Sequence, residues 1–530
     1  MKAYPLSLRL AAAAVLSLAV SSLGLAAGPT QHQLDAARQN GSNWLMYNRT
    51  YSGDRFSPLT QINTTDASQL TPVCANQLGT LAAFQATPVE YRGVLYVTTQ
   101  HQTVAMNAAT CKTLWDYTYV PTGPEPINTN RGVALYKGMV IRGTDDAHLI
   151  ALNAGTGKLI WNVKVGNSAI GEFLSAAPIV WKNLIFIGLA GADWGIKGQV
   201  YAYNVKNGKR VWTFNDIPTG NAVGASTWGR AASTATGGGS TWSTITLDRS
   251  NGLVYVPIGN PAPDFAPEYR PGANLFTDSV VELNAKTGKL VRWHQQVPND
   301  SHDWDTAAAP ILFTTSNGHH YMAVADKAGY LFVYNQATHK LAYKVPTTTI
   351  HNASLHPTVK GVYTCPADLG GTEWSSPAYD PQTAALYVNS VDWCGVDKLG
   401  EVRYVAGQLF FGGSSILDPV AKASGWLDAF DASSGQTLWR WHSPTPMLAG
   451  VTPTAGGVLM TGDLNGNFLV FDARTGQKLY QFDTGGAMAG GVITYKVNGR
   501  QYVAVASGNS SRSIWGTTGS GTIFVFALPY

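Results

Sequence analysis

A phrase that returns along the chain at intervals of roughly 40–50 residues limits the fold more than any other feature. It consists of an alternating apolar run, an Asn or Asp, a small turn ending in Gly, and an aromatic. It is read as VAMNAATCKTLW (104–115), IALNAGTGKLIW (150–161) and AYNVKNGKRVW (202–212). It returns as VELNAKTGKLVRW (281–293), VYNQATHKLAY (333–343), DAFDASSGQTLW (428–439) and VFDARTGQKLY (470–480). The closing FVFALP (524–529) reads as an eighth, truncated copy. Alternation marks a half-buried strand, and the Asn/Asp and Gly turn reverses the chain into the next one. The terminal aromatic is then placed to pack on the adjacent unit, burying ~150–250 Å².

Radial repetition of such four-stranded units leaves only short, protected edges. The expectation is therefore an all-β, eight-bladed β-propeller with tryptophan-docking repeats. The truncated last copy predicts that N-terminal residues complete the final blade. The wider gaps at 213–280 and 344–427 read as insertions within blades. No helix-period stretch or low-complexity linker marks a second unit, so 28–530 reads as one domain. Repeats alone do not give function, since many propellers are scaffolds.

The N-terminus adds a compartment. Lys2 and Arg9 precede an apolar stretch from Leu10 to Val20, and small residues follow to Ala26 and Ala27. This pattern predicts a secretory signal peptide over 1–27, removed near Ala27. The alternative is a retained membrane anchor, for which the apolar run is short. No later segment is apolar enough to cross a bilayer, so a soluble, exported and periplasmic protein is expected. The 36 Lys+Arg against 32 Asp+Glu, with no basic run, give no electrostatic footprint for nucleic acid. Cys74, Cys111, Cys365 and Cys394 suggest two disulfides in an exported chain. Three connectivities are open, and sequence proximity favours Cys74–Cys111 and Cys365–Cys394. There is no C-x-x-C-H, hence no sign of covalently attached haem.

Between the repeats lie DRFSPLTQIN (54–63), NRGVALY (130–136), GADWGIKGQVYAYN (191–204), GNPAPD (259–264), PNDSHDWD (298–305) and NGRQYVAVASG (498–508). With the repeats, these segments resemble the quinoprotein alcohol dehydrogenases, the family of the methanol and ethanol dehydrogenases, over nearly the whole chain after Trp44. The resemblance implies pyrroloquinoline quinone (PQQ) held on Ca²⁺ or a lanthanide, a small alcohol as substrate, and electron transfer to a soluble cytochrome c. It places metal ligands at Asp193, Asn260 and Asp303, and makes Asp303 the catalytic carboxylate. Family members that use lanthanides carry a further Asp two residues on, which is Asp305. Three carboxylates within six positions (Asp300, Asp303 and Asp305) would repel one another if buried unless a cation or proton is shared.

For the flat, tricarboxylate cofactor the resemblance implies Trp242 as an aromatic floor and Arg131 as a partner for a carboxylate. Lys327 is matched to the basic residue at the reactive quinone oxygens, and Thr144 and Ser240 to rim hydroxyls. The chain also departs from the pattern. Glu125 and Pro126 stand where the family has a vicinal cysteine pair, Gln85 where it has a rim Glu, and Ala190 where it has a rim Ser. Glu373 replaces a rim Asn before Trp374. Two further readings remain open at this point: a non-catalytic exported propeller of the outer-membrane assembly type, and a PQQ-dependent sugar dehydrogenase.

Overall fold

The computed structural model describes residues 1, 28–511 and 514–529. Apart from Met1, the expected signal segment 1–27 lies outside the described residues. Among them, no helix is long and apolar enough to cross a membrane.

The described strands form eight four-stranded antiparallel sheets, as many as the repeats predict. Blade one takes Val89–Tyr91, Val94–Thr98, Gln102–Asn107 and Thr113–Thr118. Blades two to seven follow in sequence over 134–164, 179–215, 246–295, 311–346, 378–443 and 452–483. Blade eight is composite: Val492–Val497, Arg500–Ser507 and Thr522–Ala527 are completed by Thr71–Gln77, which pairs with Thr522–Ala527. The truncated last copy is thus closed from the N-terminal side, as its length required. Within a blade the second strand is buried throughout and the fourth alternates, as Val94–Thr98 and Thr113–Thr118 illustrate. The second strand packs between neighbouring blades, whereas the fourth forms the outer edge and shows one face to water.

The recurring aromatic joins blade to blade. Trp115 Nε1 donates to Ala154 O at 3.0 Å, Trp161 to Val205 O at 3.0 Å, and Trp212 to Ala285 O at 3.0 Å. Trp439 donates to Ala473 O at 3.1 Å, and Tyr343 OH to Ala432 O at 2.9 Å. Each acceptor follows the Asn or Asp of the next blade's phrase, or stands at the equivalent place. The turn glycine is needed twice over. At Gly288 the backbone takes φ +69°, and a Cβ there would come within 2.6 Å of the Trp212 ring. Blade one departs from this scheme. Cys111, at φ +57°, occupies the place of the turn glycine and is bonded to Cys74 on the closing strand.

Cys365–Cys394 is the second bridge, so the pairing favoured by proximity is the one found. The 344–427 stretch is not a single insertion: the first two strands of blade six, Ala378–Asp380 and Ala385–Asp392, lie between the two cysteines, and the segments on either side form a three-stranded sheet of Val362–Thr364, Gly395–Leu399 and Gly413–Leu417. That sheet walls one side of the site. Asp397 Oδ2 lies 2.8 Å from His302 Nδ1, and Trp304 Nε1 donates to Pro366 O at 3.3 Å.

Candidate active site and cofactor cavity

In an antiparallel blade, the loop entering the first strand and the loop leaving the second emerge at the same edge. Nearly every residue singled out in the sequence lies on one of these two loops. Gln85, Arg131, Trp242, Asp303, Asp305, Glu373 and Trp374 precede first strands. Thr144, Asp193, Asn260 and Lys327 follow second strands. Residues distant in sequence therefore converge at one rim, around a cavity of about 640 Å³. Gln85, Arg131, Asp193, Ser240, Trp242, Asp303, Asp305, Lys327, Glu373 and Trp374 line it. So do Glu125 and Pro126, with Glu125 Oε1 2.6 Å from His101 Nε2.

Thr144 is placed differently. Its hydroxyl donates to Asp146 Oδ1 at 2.6 Å and accepts from His148 N at 2.9 Å, closing a turn of blade two outside the cavity lining.

The acidic floor is assembled from three loops. Asp193 sits in a short turn between Gly191 (φ +120°) and Gly195 (φ +64°). A Cβ at Gly191 would meet Gly171 O at 2.1 Å, so only glycine lets this turn close. Asp303 is held by its neighbours. Asp300 Oδ1 accepts from His302 N and Oδ2 from Trp304 N, each at 3.0 Å. Between them Asp303 takes the left-handed backbone, φ +62°, which turns its carboxylate out of the loop. The buried Arg270 ties this loop to the 259–264 segment, donating to Pro263 O and Asp264 O at 3.0 Å and to Asp300 O at 2.5 Å.

Carboxylate oxygens of Asp193, Asp264 and Asp303 lie within 4.8 Å of one another. Asn260 joins them, its Nδ2 donating to Asp193 Oδ1 at 3.3 Å. Asp305 stands beside this group and is fully engaged elsewhere. Its Oδ1 accepts from Trp242 Nε1 at 2.9 Å and Asn260 N at 3.1 Å, and its Oδ2 lies 3.1 Å from Lys327 Nζ. Lys327 also reaches Asp303 Oδ2 at 2.8 Å. Burial alone would discharge Lys327, but Asp303 and Asp305 overcome it and hold the ammonium protonated well beyond its ordinary range. Burial, reinforced by Asp305 and opposed by Lys327, pushes Asp193 up to about 6. Burial likewise raises Glu373 to about 7 against the pull of Lys327.

The aromatic part of the site is a stack. The Arg131 guanidinium lies 4.6 Å from the Trp242 ring centroid and 5.0 Å from that of Trp374. Its Nη1 donates to Ser175 Oγ at 2.9 Å and Trp242 O at 3.0 Å. Phe173, Trp194, Leu409, Phe411, Ile514 and Trp515 add an apolar part to the lining.

Sequence reasoning missed Asp264 and Arg270. Asp264 closes the quoted GNPAPD motif, four residues beyond Asn260, and that spacing on one loop was its only signal. Arg270 acts through backbone carbonyls, which leave no mark in a sequence.

Residues 44–359 match the family described as glucose/ethanol/alcohol dehydrogenase, beta-propeller domain. Residues 423–521 match outer membrane protein assembly factor BamB. The chain is similar to quinoprotein alcohol dehydrogenase PedH of Pseudomonas putida, 33% identical over 88% of this chain and 86% of that protein. It is 29% identical to a quinoprotein ethanol dehydrogenase of the same species, covering 97% of this chain and 95% of the relative. Among solved structures, a europium-containing methanol dehydrogenase superposes with a TM-score of 0.86 at 26% identity, covering 94% of this chain and all of that one. The quinohemoprotein alcohol dehydrogenase ADHIIG of P. putida gives 0.87 at 25% identity, covering 95% of this chain and 83% of the other. The repeats, the convergent rim and these likenesses agree, and the chain belongs to the quinoprotein alcohol dehydrogenases, oxidoreductases built on a β-propeller.

Proposed function

We propose that the chain oxidises an alcohol to an aldehyde or ketone, with PQQ and a Ca²⁺ or lanthanide ion held in the rim cavity. The residues present fit both groups. Asp264 has two buried oxygens without a partner and Asp303 has one, a hard-oxygen set with unmet need for a cation. Trp242 offers a ring face, and Arg131 and Lys327 offer positive charge to a flat polyanion. Asp193, Asn260 and Asp303 are the ligands proposed for the ion, and Asp305 is kept as a candidate. When bound, the quinone supplies the hydride acceptor and the ion makes its carbonyl more electrophilic.

The chain's own part is proton handling and orientation. Asp303 Oδ2 is held by Lys327, while Oδ1 is buried without a partner on a residue lining the cavity. This one observation carries the reading, because a general base needs a free lone pair aimed where the substrate hydroxyl sits. Asp303 takes the alcohol proton. Lys327 offsets negative charge that builds beside it. The apolar part of the lining excludes water and accepts the carbon skeleton of the alcohol.

Two rival readings find less support. The match to the assembly factor covers 423–521, a stretch holding none of the rim carboxylates. A sugar would set many hydroxyls against the apolar part of the lining, where they would lack partners. Export by way of a leader at 1–27, residence in the periplasm, and a soluble cytochrome c as electron acceptor complete the proposal. They rest on the N-terminal pattern and on family resemblance.

Reconstitution of metal-free protein with PQQ and either Ca²⁺ or a light lanthanide, followed by dye-linked assay over alcohols and sugars, is the test. Oxidation of alcohols, lost in Asp303→Ala, is expected. Turnover of sugars alone, or of nothing, would overturn the reading.

A further inference from the structure

We infer that Asp264 is a metal ligand in this chain, giving with Asp193, Asn260 and Asp303 a cation site of three carboxylates and an amide that favours trivalent over divalent ions. The inference rests on the proposed reading of the cavity as a metal-dependent site, and adds a residue which that reading did not contain.

The case begins with what surrounds Asp264. Its side chain is fully buried, and neither carboxylate oxygen has a hydrogen-bond partner. The nearest cation, Arg270, spends its Nη2 on the backbone oxygens of Asp264 and Asp300, and its Nη1 on Asn274 Oδ1 at 3.0 Å. It holds the Asp264 backbone and makes no hydrogen bond to the carboxylate, whose charge it offsets only from a distance. A carboxyl left this way costs about 1–3 kcal/mol or more, depending on its charge.

The position is not arbitrary. Oxygens of Asp264, Asp193 and Asp303 gather within 4.8 Å, close enough to share one ion of the calcium or lanthanide size class. Asp303 reaches this group with a carboxylate oxygen as well. The contrast with Asp305 sharpens the assignment. Asp305 is bonded to Trp242 Nε1, Asn260 N and Lys327 Nζ, so both of its oxygens already have partners, whereas neither oxygen of Asp264 does. Metal charge preference is set by carboxylates free to face the ion, and here those are Asp193, Asp264 and Asp303. Adding Asp264 to Asp193 and Asp303 raises the carboxylates facing the ion from two to three, and a trivalent ion gains more from each added negative charge than a divalent one.

The test uses the full-length, metal-free protein with terbium(III) and Ca²⁺ as probes, and needs no turnover. Terbium binding is followed by luminescence sensitised through the neighbouring tryptophans, and coordinated waters are counted from decay rates in H₂O and D₂O. Asp264→Asn is expected to weaken terbium binding by on the order of 10–100-fold, weaken Ca²⁺ binding less, and admit about one more water. Without metal, the same variant should melt at or above the parent temperature, because an unsatisfied buried acid has been removed. With metal, its gain in melting temperature should shrink. A structural role would lower the metal-free melting temperature instead.

If Asn disturbs the fold, Asp264→Ser provides a smaller neutral side chain for the same measurements. Parent-like terbium affinity in either folded variant overturns the assignment while leaving the cavity a metal site. Failure of the parent itself to bind either ion overturns the proposed function, and this inference with it.

Discussion

At the joint between blades three and four, Trp212 donates its indole N–H to Ala285 O and lays its ring on Gly288. At the rim above blade four, Asp264 carries two buried oxygens that bond to nothing. At this joint the indole N–H is matched and the ring is 8% exposed, so Trp212 contributes stability and little else. The rim is built the other way, with carboxylates that oppose folding by themselves and become favourable only when something binds. Segments where local rules are broken in an otherwise consistent fold are where function is expected. The propeller provides the excess stability that lets the rim remain unsatisfied.

Breaking the rim should change chemistry and spare the fold. Asp303→Ala is expected to lower turnover by ~10²–10⁴-fold, because a general base acts in the transition state. Lys327 keeps Asp305 as a partner at 3.1 Å, so the variant should not strand a buried ammonium. Kinetics at saturating alcohol, paired with thermal unfolding, check both halves. Retained turnover would show that Asp303 is not the base.

Breaking a joint should do the reverse. Trp212→Ala removes a buried ring and its hydrogen bond to the next blade, at a cost of about 3–5 kcal/mol. Trp212 does not line the cavity, so activity per folded molecule should be unchanged. Denaturant unfolding measures the loss. A variant as stable as the parent would mean that the aromatic of the repeat is not what couples the blades.

These two regions differed as much in legibility as in energetics. The joints could be read directly, because a periodic phrase with its aromatic encodes a contact made at five of them. Closure by Thr71–Gln77 also followed, from the shortness of the last copy. The rim was readable only through resemblance, since Asp193, Asn260 and Asp303 come from three loops with no common period. Within it the sequence could not separate Asp303 from Asp305, which share a motif. Trp242 Nε1 and Asn260 N, both on Asp305 Oδ1, leave Asp303 Oδ1 the one without a partner, and both donors lie far from the motif in sequence. Thr144 shows the same limit, a matched hydroxyl that closes its own turn.

The disulfides place one bridge in each region. Removing Cys74–Cys111, by Cys74→Ser with Cys111→Ser, should cost ~2–4 kcal/mol and leave kinetics alone, since it staples only the closing blade. Removing Cys365–Cys394 should cost a similar amount and also lower kcat/KM. The segments it joins carry Asp397 and Pro366, which brace His302 and Trp304 on either side of Asp303. Parallel melting and kinetic measurements on the two double variants distinguish them. Equal kinetic effects would mean that the second bridge does not position the base.

A proton effect lies far from the rim and is confined to one range of pH. Glu90, in the first strand of blade one, is buried, and burial pushes its carboxyl up to about 8 despite the Gly93 N–H that donates to Oε1 at 2.6 Å. Its other oxygen has no partner. The folded state therefore holds this proton more tightly than the unfolded chain, where an ordinary value of 4.5 applies. Below the unfolded value both states are protonated and Glu90 exerts no pH dependence. Between the two values the unfolded chain ionises first, so stability falls as pH rises, by at most ~1.4 kcal/mol per pH unit. Above the folded value the loss is complete and constant. Glu90→Gln stays neutral throughout, so parent and variant should be about equally stable near pH 4.5 and diverge in the variant's favour toward pH 8. Denaturant midpoints across that range are the measurement. A parent that gains on the variant as pH rises would show that Glu90 is ionised and paired in the folded chain, and that its blade follows the rule of the joints.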